Sequence, residues 1–358
     1  EMIESSEPNT ADSIVGSSSN RESMQNSVNK VSSSAFYEEY HGHTSYDLEV
    51  VHRRLRTMHS GLVFLAGDSS LDNKVWFREQ ARSVNGYELI LNPPKSKQDI
   101  AYWMNRYLEE NRMRGQLAAL NCAVEESTIA ARAYGRLLPQ DEFIRDNIQE
   151  GDILVVSVGG NDVALRPAPC TILSIASLLC CTTTTCLHHC SCGCAIPAED
   201  YMFCGPLSNF CACPPGLGHM VHLFGERIRS IIARLTVKRK PKLILVCMIY
   251  FLDEKPGNSW AERTLSALGY NSNPGKLQEA IRQIFRLATQ QIRIPGTKVV
   301  AVPLFEVLDG KNTLDYAQRV EPSALGGEKM GNFLCDIIMR ELEQKIAVVD
   351  SSVEVVEH

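Results

Sequence analysis

Five short apolar runs punctuate the chain, each bounded by polar or glycine-containing turns: Leu62 to Ala66, Leu117 to Leu120, Ile153 to Val158, Leu243 to Tyr250 and Lys298 to Val302. Runs of this length, rich in Val, Ile and Leu, predict strands buried on both faces. Between them the apolar positions recur with helical spacing. Asp47 to Met58 aligns Leu48, Val51, Leu55 and Met58 behind Asp47 as N-cap, and Gln98 to Arg112 carries Ile100, Trp103, Met104 and Leu108. Gly218 to Leu235 and Pro274 to Ile292 repeat the pattern. Further helices are predicted from about Leu71 to Arg82, from Ser127 to Tyr134 and from about Glu328 to Ile346. Strands alternating with helices at this rhythm predict an α/β fold, a three-layer α/β/α sandwich around a five-stranded, mostly parallel sheet of flavodoxin-like order 2-1-3-4-5.

Composition changes this picture at the ends and in one insertion. Residues 1–35 are rich in serine and asparagine and bury too little apolar surface to offset ordering entropy, which predicts a disordered arm before a domain spanning 36–350. The start shows no charged-then-apolar leader pattern. Tyr37 to His43 is polar and aromatic and reads as a strap over the domain, with His41 and His43 as surface histidines. The formal charge of −6 gives no electrostatic reason to expect nucleic acid, and no stretch reaches the roughly 20 apolar residues of a membrane span.

Chemistry concentrates at strand ends. The first strand runs into Gly67-Asp68-Ser69, and a serine at such a turn sits at the carboxyl edge of an α/β sheet, where these folds bind ligands. The third strand breaks at Gly159-Gly160-Asn161-Asp162, placing an amide donor, Asn161, where an oxyanion can form. Together the two stretches resemble the first and third blocks of the SGNH (GDSL-type) hydrolases, over roughly residues 60–345. The resemblance implies Ser69 as nucleophile and Asn161 as an oxyanion donor. It also aligns Asn121-Cys-Ala-Val-Glu-Glu126-Ser-Thr128 with the second block, where Glu126 stands at the glycine position. Pro322-Ser323 aligns the last block, Asp-x-x-His-Pro-Ser, so that Gln318 and Glu321 occupy the Asp and His positions. Three readings of Glu321 follow: a desolvated base acting directly, an orienter of a histidine from elsewhere (His188, His189, His219 or His222), or the mark of a catalytically silent relative acting as a binding or structural protein. The function expected is an ester hydrolase or acyltransferase acting through Ser69 on a small acyl ester, lipid or acylated carbohydrate, with no cofactor.

Residues 164–216 interrupt this plan and hold ten of the thirteen cysteines: Cys170, Cys180, Cys181, Cys186, Cys190, Cys192, Cys194, Cys204, Cys211 and Cys213. The segment follows the Asn161 loop directly, so it should lie over or beside the mouth of the site. Disulfides are the first reading, zinc with His188 and His189 the second, and lipidation beside the apolar Ile172 to Cys181 run the third. Disulfides would imply the secretory pathway or the extracellular space.

Overall fold

The computed structural model describes residues 30–191 and 214–354, without the side chains of Cys190 and of residues from 345 onward. Strands β1 (Gly61–Gly67), β2 (Leu117–Asn121), β3 (Ile153–Ser157), β4 (Leu243–Met248) and β5 (Lys298–Pro303) form one sheet, parallel throughout, in the order β2-β1-β3-β4-β5. This is the predicted order 2-1-3-4-5. Alternation along β1 sends Leu62, Phe64 and Ala66 to one face and Val63 and Leu65 to the other.

The first face is covered by α1 (Ser45–Met58), α3 (Pro139–Asn147) and α6 (Pro274–Leu287), and by a helix running through Leu217–Val221, a π-helical His222–Arg227 and Ile228–Leu235. The second face is covered by α2 (Ile100–Glu110) and the long closing helix α7 (Ala324–Glu354), whose Met330, Leu334 and Ile338 pack with Ile100, Met104 and Leu108. Two further helices, α4 (Pro169–Cys180) and α5 (Thr184–Cys190), belong to the cysteine-rich insertion.

Several expectations need correction. The N-cap of α1 is Thr44, whose hydroxyl accepts from Asp47 N at 3.1 Å, not Asp47. Ordered chain begins before residue 36: Val31–Ser32 pairs in parallel with Leu91–Asn92, and Phe36 and Tyr37 are buried. His43 is buried and stacked on Phe36, so it is no surface histidine. The stretch from Leu71 to Arg82 is a turn, a single 3-10 turn (Lys74–Trp76) and a short strand (Gln80–Arg82), not a helix. Its polar side chains are drawn inward. Asn73 accepts from Ile100 N and donates to Pro322 O, while Lys74 is buried between Asp72 and Glu125. Such side-chain bonds compete with helix formation.

Ser127 to Tyr134 likewise forms only a 3-10 turn, Ala130–Arg132. Asp162 accepts from Ile129 N at 2.7 Å and Ala130 N at 3.0 Å, and the buried Arg132 guanidinium donates to Thr128 O, Ser127 Oγ and Gly67 O. Cys180 and Cys181 are exposed free thiols, so these two stand outside the expected cross-linking. The arm expected over 1–35 lies outside the described residues up to 29, as do Cys192, Cys194, Cys204, Cys211 and Cys213.

One glycine is required by contact. A Cβ on Gly67, at φ +148°, would lie 1.7 Å from Ser157 O, because the chain leaves β1 pressed against the end of β3. Gly67→Ala is therefore expected to destabilise the protein by at least about 3 kcal/mol, read as a shift of the urea midpoint.

Candidate active site

The first three blocks converge because each leaves the carboxyl end of its own parallel strand. Asp68 ties the first to the third. Its buried carboxylate accepts from Ser70 N at 3.0 Å, Ser70 Oγ at 2.7 Å and Gly159 N at 3.1 Å. Ser70 Oγ also meets Ser157 Oγ at 2.6 Å. The turn so fixed delivers Ser69, 7% exposed, into a cleft that Asn161 and Glu321 also line.

Glu321 comes from the last block by a different route. Glu321–Pro322 pairs antiparallel with Tyr316–Ala317, and the connecting residues Gln318 and Arg319 take left-handed conformations. Tyr250, just past β4, donates to Val320 O at 2.8 Å, and Asn73 donates to Pro322 O at 3.1 Å. Arg319 is buried and its guanidinium donates to Asp253 O. Held from both sides, the Glu321 carboxyl lies beside the Ser69 hydroxyl at the cleft, and its oxygen Oε2 is buried without a partner. Burial pushes the carboxyl up to about 8; the Ser69 hydroxyl opposes this, and the nearby Asp68 and Glu125 carboxylates add to it. Gln318, at the position of the family's aspartate, is exposed, and its carbonyl accepts from Ser259 Oγ.

Glu126 adopts φ +57°, the left-handed conformation a glycine would supply, so the substitution preserves the backbone path. Its carboxylate is held by Tyr40 Oη at 2.8 Å and Arg166 Nη2 at 2.7 Å, which counters the repulsion it would otherwise exert on an oxyanion. The strap does this work: Gly42 N donates to Glu125 Oε2 at 2.6 Å, and Gln140 donates to His43 O at 3.0 Å. The Glu126 side chain does not line the cleft. Its neighbour Ser127 brings the backbone to the site, since the Ser127 carbonyl accepts from Asn161 Nδ2 at 3.1 Å. That bond uses one of two amide hydrogens. Among the described residues, the backbone N–H groups of Ser69 and Glu126 donate to no protein acceptor, and the second Asn161 amide hydrogen is likewise unused.

Among the described residues, no histidine lines the cleft. His188 faces Glu279 at 3.0 Å and His219 faces Thr171 Oγ1 at 2.9 Å. His222 lies on the same helical segment as Met220 and Phe224, which do line it. Among the described residues, no cluster of metal-ligating side chains is present. Sequence reasoning missed Lys74, Arg132, Tyr250 and Asn73. Nothing in their spacing marks them, because each acts through a partner distant in the chain.

In strand order, in the turn serine and in the Asn161 loop, the chain has the plan of the SGNH hydrolases it resembles in sequence. No family model and no curated protein matches it. Similar solved structures include a carbohydrate esterase family 3 protein from Talaromyces cellulolyticus (10% identity, 79% of this chain and 98% of that one, TM-score 0.38). An extracellular lipase from Streptomyces rimosus gives 11% identity over 77% and 97%, TM-score 0.39. An acetylxylan esterase from Geobacillus stearothermophilus gives 14% over 79% and 94%, TM-score 0.36. None follows this chain's path closely enough to inform the chemistry of the site.

Lys74 offers a direct check on the frame beneath the site. Lys74→Met leaves the Asp72 and Glu125 carboxylates buried without their shared cation, which should cost about 3–5 kcal/mol in chemical denaturation.

Proposed function

We propose that the protein is a serine ester hydrolase or acyltransferase in which Glu321 serves directly as the base for Ser69. The observation that carries this reading is a buried carboxyl placed beside the Ser69 hydroxyl, both lining one cleft. A carboxylate at its ordinary pKa, near about 4, is a poor acceptor for an alcohol proton. Raised to about 8, Glu321 approaches the range where a base works well.

Ser69 Oγ attacks the ester carbonyl carbon while its proton passes to Glu321. The oxyanion takes hydrogen bonds from the N–H groups of Ser69 and Glu126 and from the Asn161 amide. Collapse breaks the bond to the alcohol oxygen, which receives the proton from Glu321 and departs, leaving acyl-Ser69. Water, or a second alcohol in the transferase case, then attacks with Glu321 again taking its proton. Ser69 is regenerated, with the free acid or a new ester released.

A silent relative is the second reading, favoured by the same carboxyl being largely protonated at neutral pH. The two readings part on covalent labelling. A fluorophosphonate should modify the wild type at Ser69 and leave Ser69→Ala untouched, and a wild type that resists it at every pH supports the silent relative. Hydrolysis of an aryl ester should rise with pH through about 8, and Glu321→Gln should lower kcat by about 10²–10⁴-fold and remove that rise. Stability should move the other way. A folded-state pKa of about 8, above the unfolded 4.5, makes Glu321's contribution full below pH 4.5 and lost as pH rises through about 8. Glu321→Gln should therefore raise stability above pH 8, by about 1–3 kcal/mol in denaturant titrations.

We also infer that part of the insertion is cross-linked and the protein resides in an oxidising compartment, a reading supported by the buried, disulfide-bonded Cys170. Unfolded without reductant, the chain should titrate fewer than its thirteen cysteines as thiols. A full complement of thirteen would contradict this.

A further inference from the structure

We propose that the cleft beside Ser69 is an acyl-chain site shaped for a long, unbranched hydrocarbon, with the insertion helix α4 forming the wall that sets chain length. The proposal deepens the reading of Ser69 as the nucleophile and rests on it for hydrolysis, though not for binding.

Ser69, Asn161 and Glu321 make a polar end of the cleft; elsewhere, Thr264 and Trp260 apart, the lining is mostly hydrocarbon. Beyond the polar end one wall is Ile175, Leu178 and Leu179 of α4, and another is Leu277, Ile281 and Ile284 of α6. Phe224 and Met220 close it from the π-helical segment and the turn before it. Apolar lining drawn from two helices and the π-helical segment is more extensive than an acetyl group can cover. A sugar placed there would lose its hydration without partners, because the walls beyond the polar end are hydrocarbon. A methylene chain loses nothing by entering. Each CH₂ transferred from water gains about 0.8 kcal/mol, which is about fourfold in kcat/KM. A carbohydrate can therefore be the alcohol that leaves, outside the cleft, but not the group held within it.

The wall contributed by α4 ties specificity to the insertion. From Pro169 to Cys190 the sequence holds no Asp, Glu, Lys or Arg. Its inward face supplies Ile175, Leu178 and Leu179 to the cleft, while Leu187 of α5 packs in the core beneath. An SGNH-like domain without this helix would lack one side of the channel.

The test uses the full chain and p-nitrophenyl acetate, butyrate, octanoate and laurate. Wild-type kcat/KM should climb about fourfold per methylene until the cleft is full, then level off. Leu178→Trp, which fills the channel, should lower the laurate-to-acetate ratio of kcat/KM at least tenfold. Ile281→Phe, from the opposite wall, should do the same and guards against misfolding of the first variant. In parallel, calorimetry should detect laurate binding to Ser69→Ala and none of butyrate, with Leu178→Trp in that background weakening laurate at least tenfold. Laurate binding without any hydrolysis by the wild type upholds the acyl site and removes the enzyme reading. Preference for acetate, with no laurate bound, overturns the acyl site and leaves hydrolysis standing.

Discussion

A carboxyl group held against a serine hydroxyl inside an apolar cleft is the constraint on which the site depends. Water would return Glu321 to the ordinary carboxylate range and leave Ser69 with a feeble base. In the proposed mechanism, dryness supplies what an imidazole would otherwise provide. Glu321 is desolvated by burial at a cleft whose hydrocarbon walls also suit the proposed acyl chain, so base strength and substrate fit would arise in one place. The rest of the last block serves to keep that carboxyl in place. Left-handed residues at 318 and 319 turn the chain back, Tyr250 and Asn73 hold the backbone on either side, and Arg319 anchors the loop to Asp253 O.

The second block shows a comparable compensation. A glutamate in the left-handed region costs roughly 1 kcal/mol or more that a glycine would avoid. The surroundings over-determine it: Tyr40 and Arg166 hold the Glu126 side chain, while the strap and the buried Lys74 hold its neighbour Glu125. The acid is thus turned to use, tying the N-terminal strap to the loop that follows β2. Beneath, Asp68 and Gly67 lock the first and third blocks together so that Ser69 and Asn161 face one point.

What was legible in the sequence follows from how local the information is. The five strands could be read because each is an apolar run whose burial needs no distant partner to recognise, and Ser69 and Asn161 because each sits at the end of such a run. Glu321 could be located through Pro322-Ser323, though its environment could not. Its desolvation by burial is a property of the folded molecule alone. The two false helices fail for the same reason. Residues 71–82 and 127–134 have tolerable helical patterns, yet Asn73, Lys74, Arg132 and Asp162 find stronger partners far along the chain. The burial of His43 is not legible in the sequence because it depends on stacking by Phe36, just before the strap.

The account stands or falls on the protonation of one group. Infrared difference spectra of the wild type across a pH titration, with Glu321→Gln to assign the carboxyl stretch, measure it directly. The account predicts a carboxylic acid that loses its proton near about pH 8, in step with the rate at which Ser69 is acylated. Deprotonation near about 4, in the ordinary carboxylate range, or acylation that ignores the transition altogether, would contradict it.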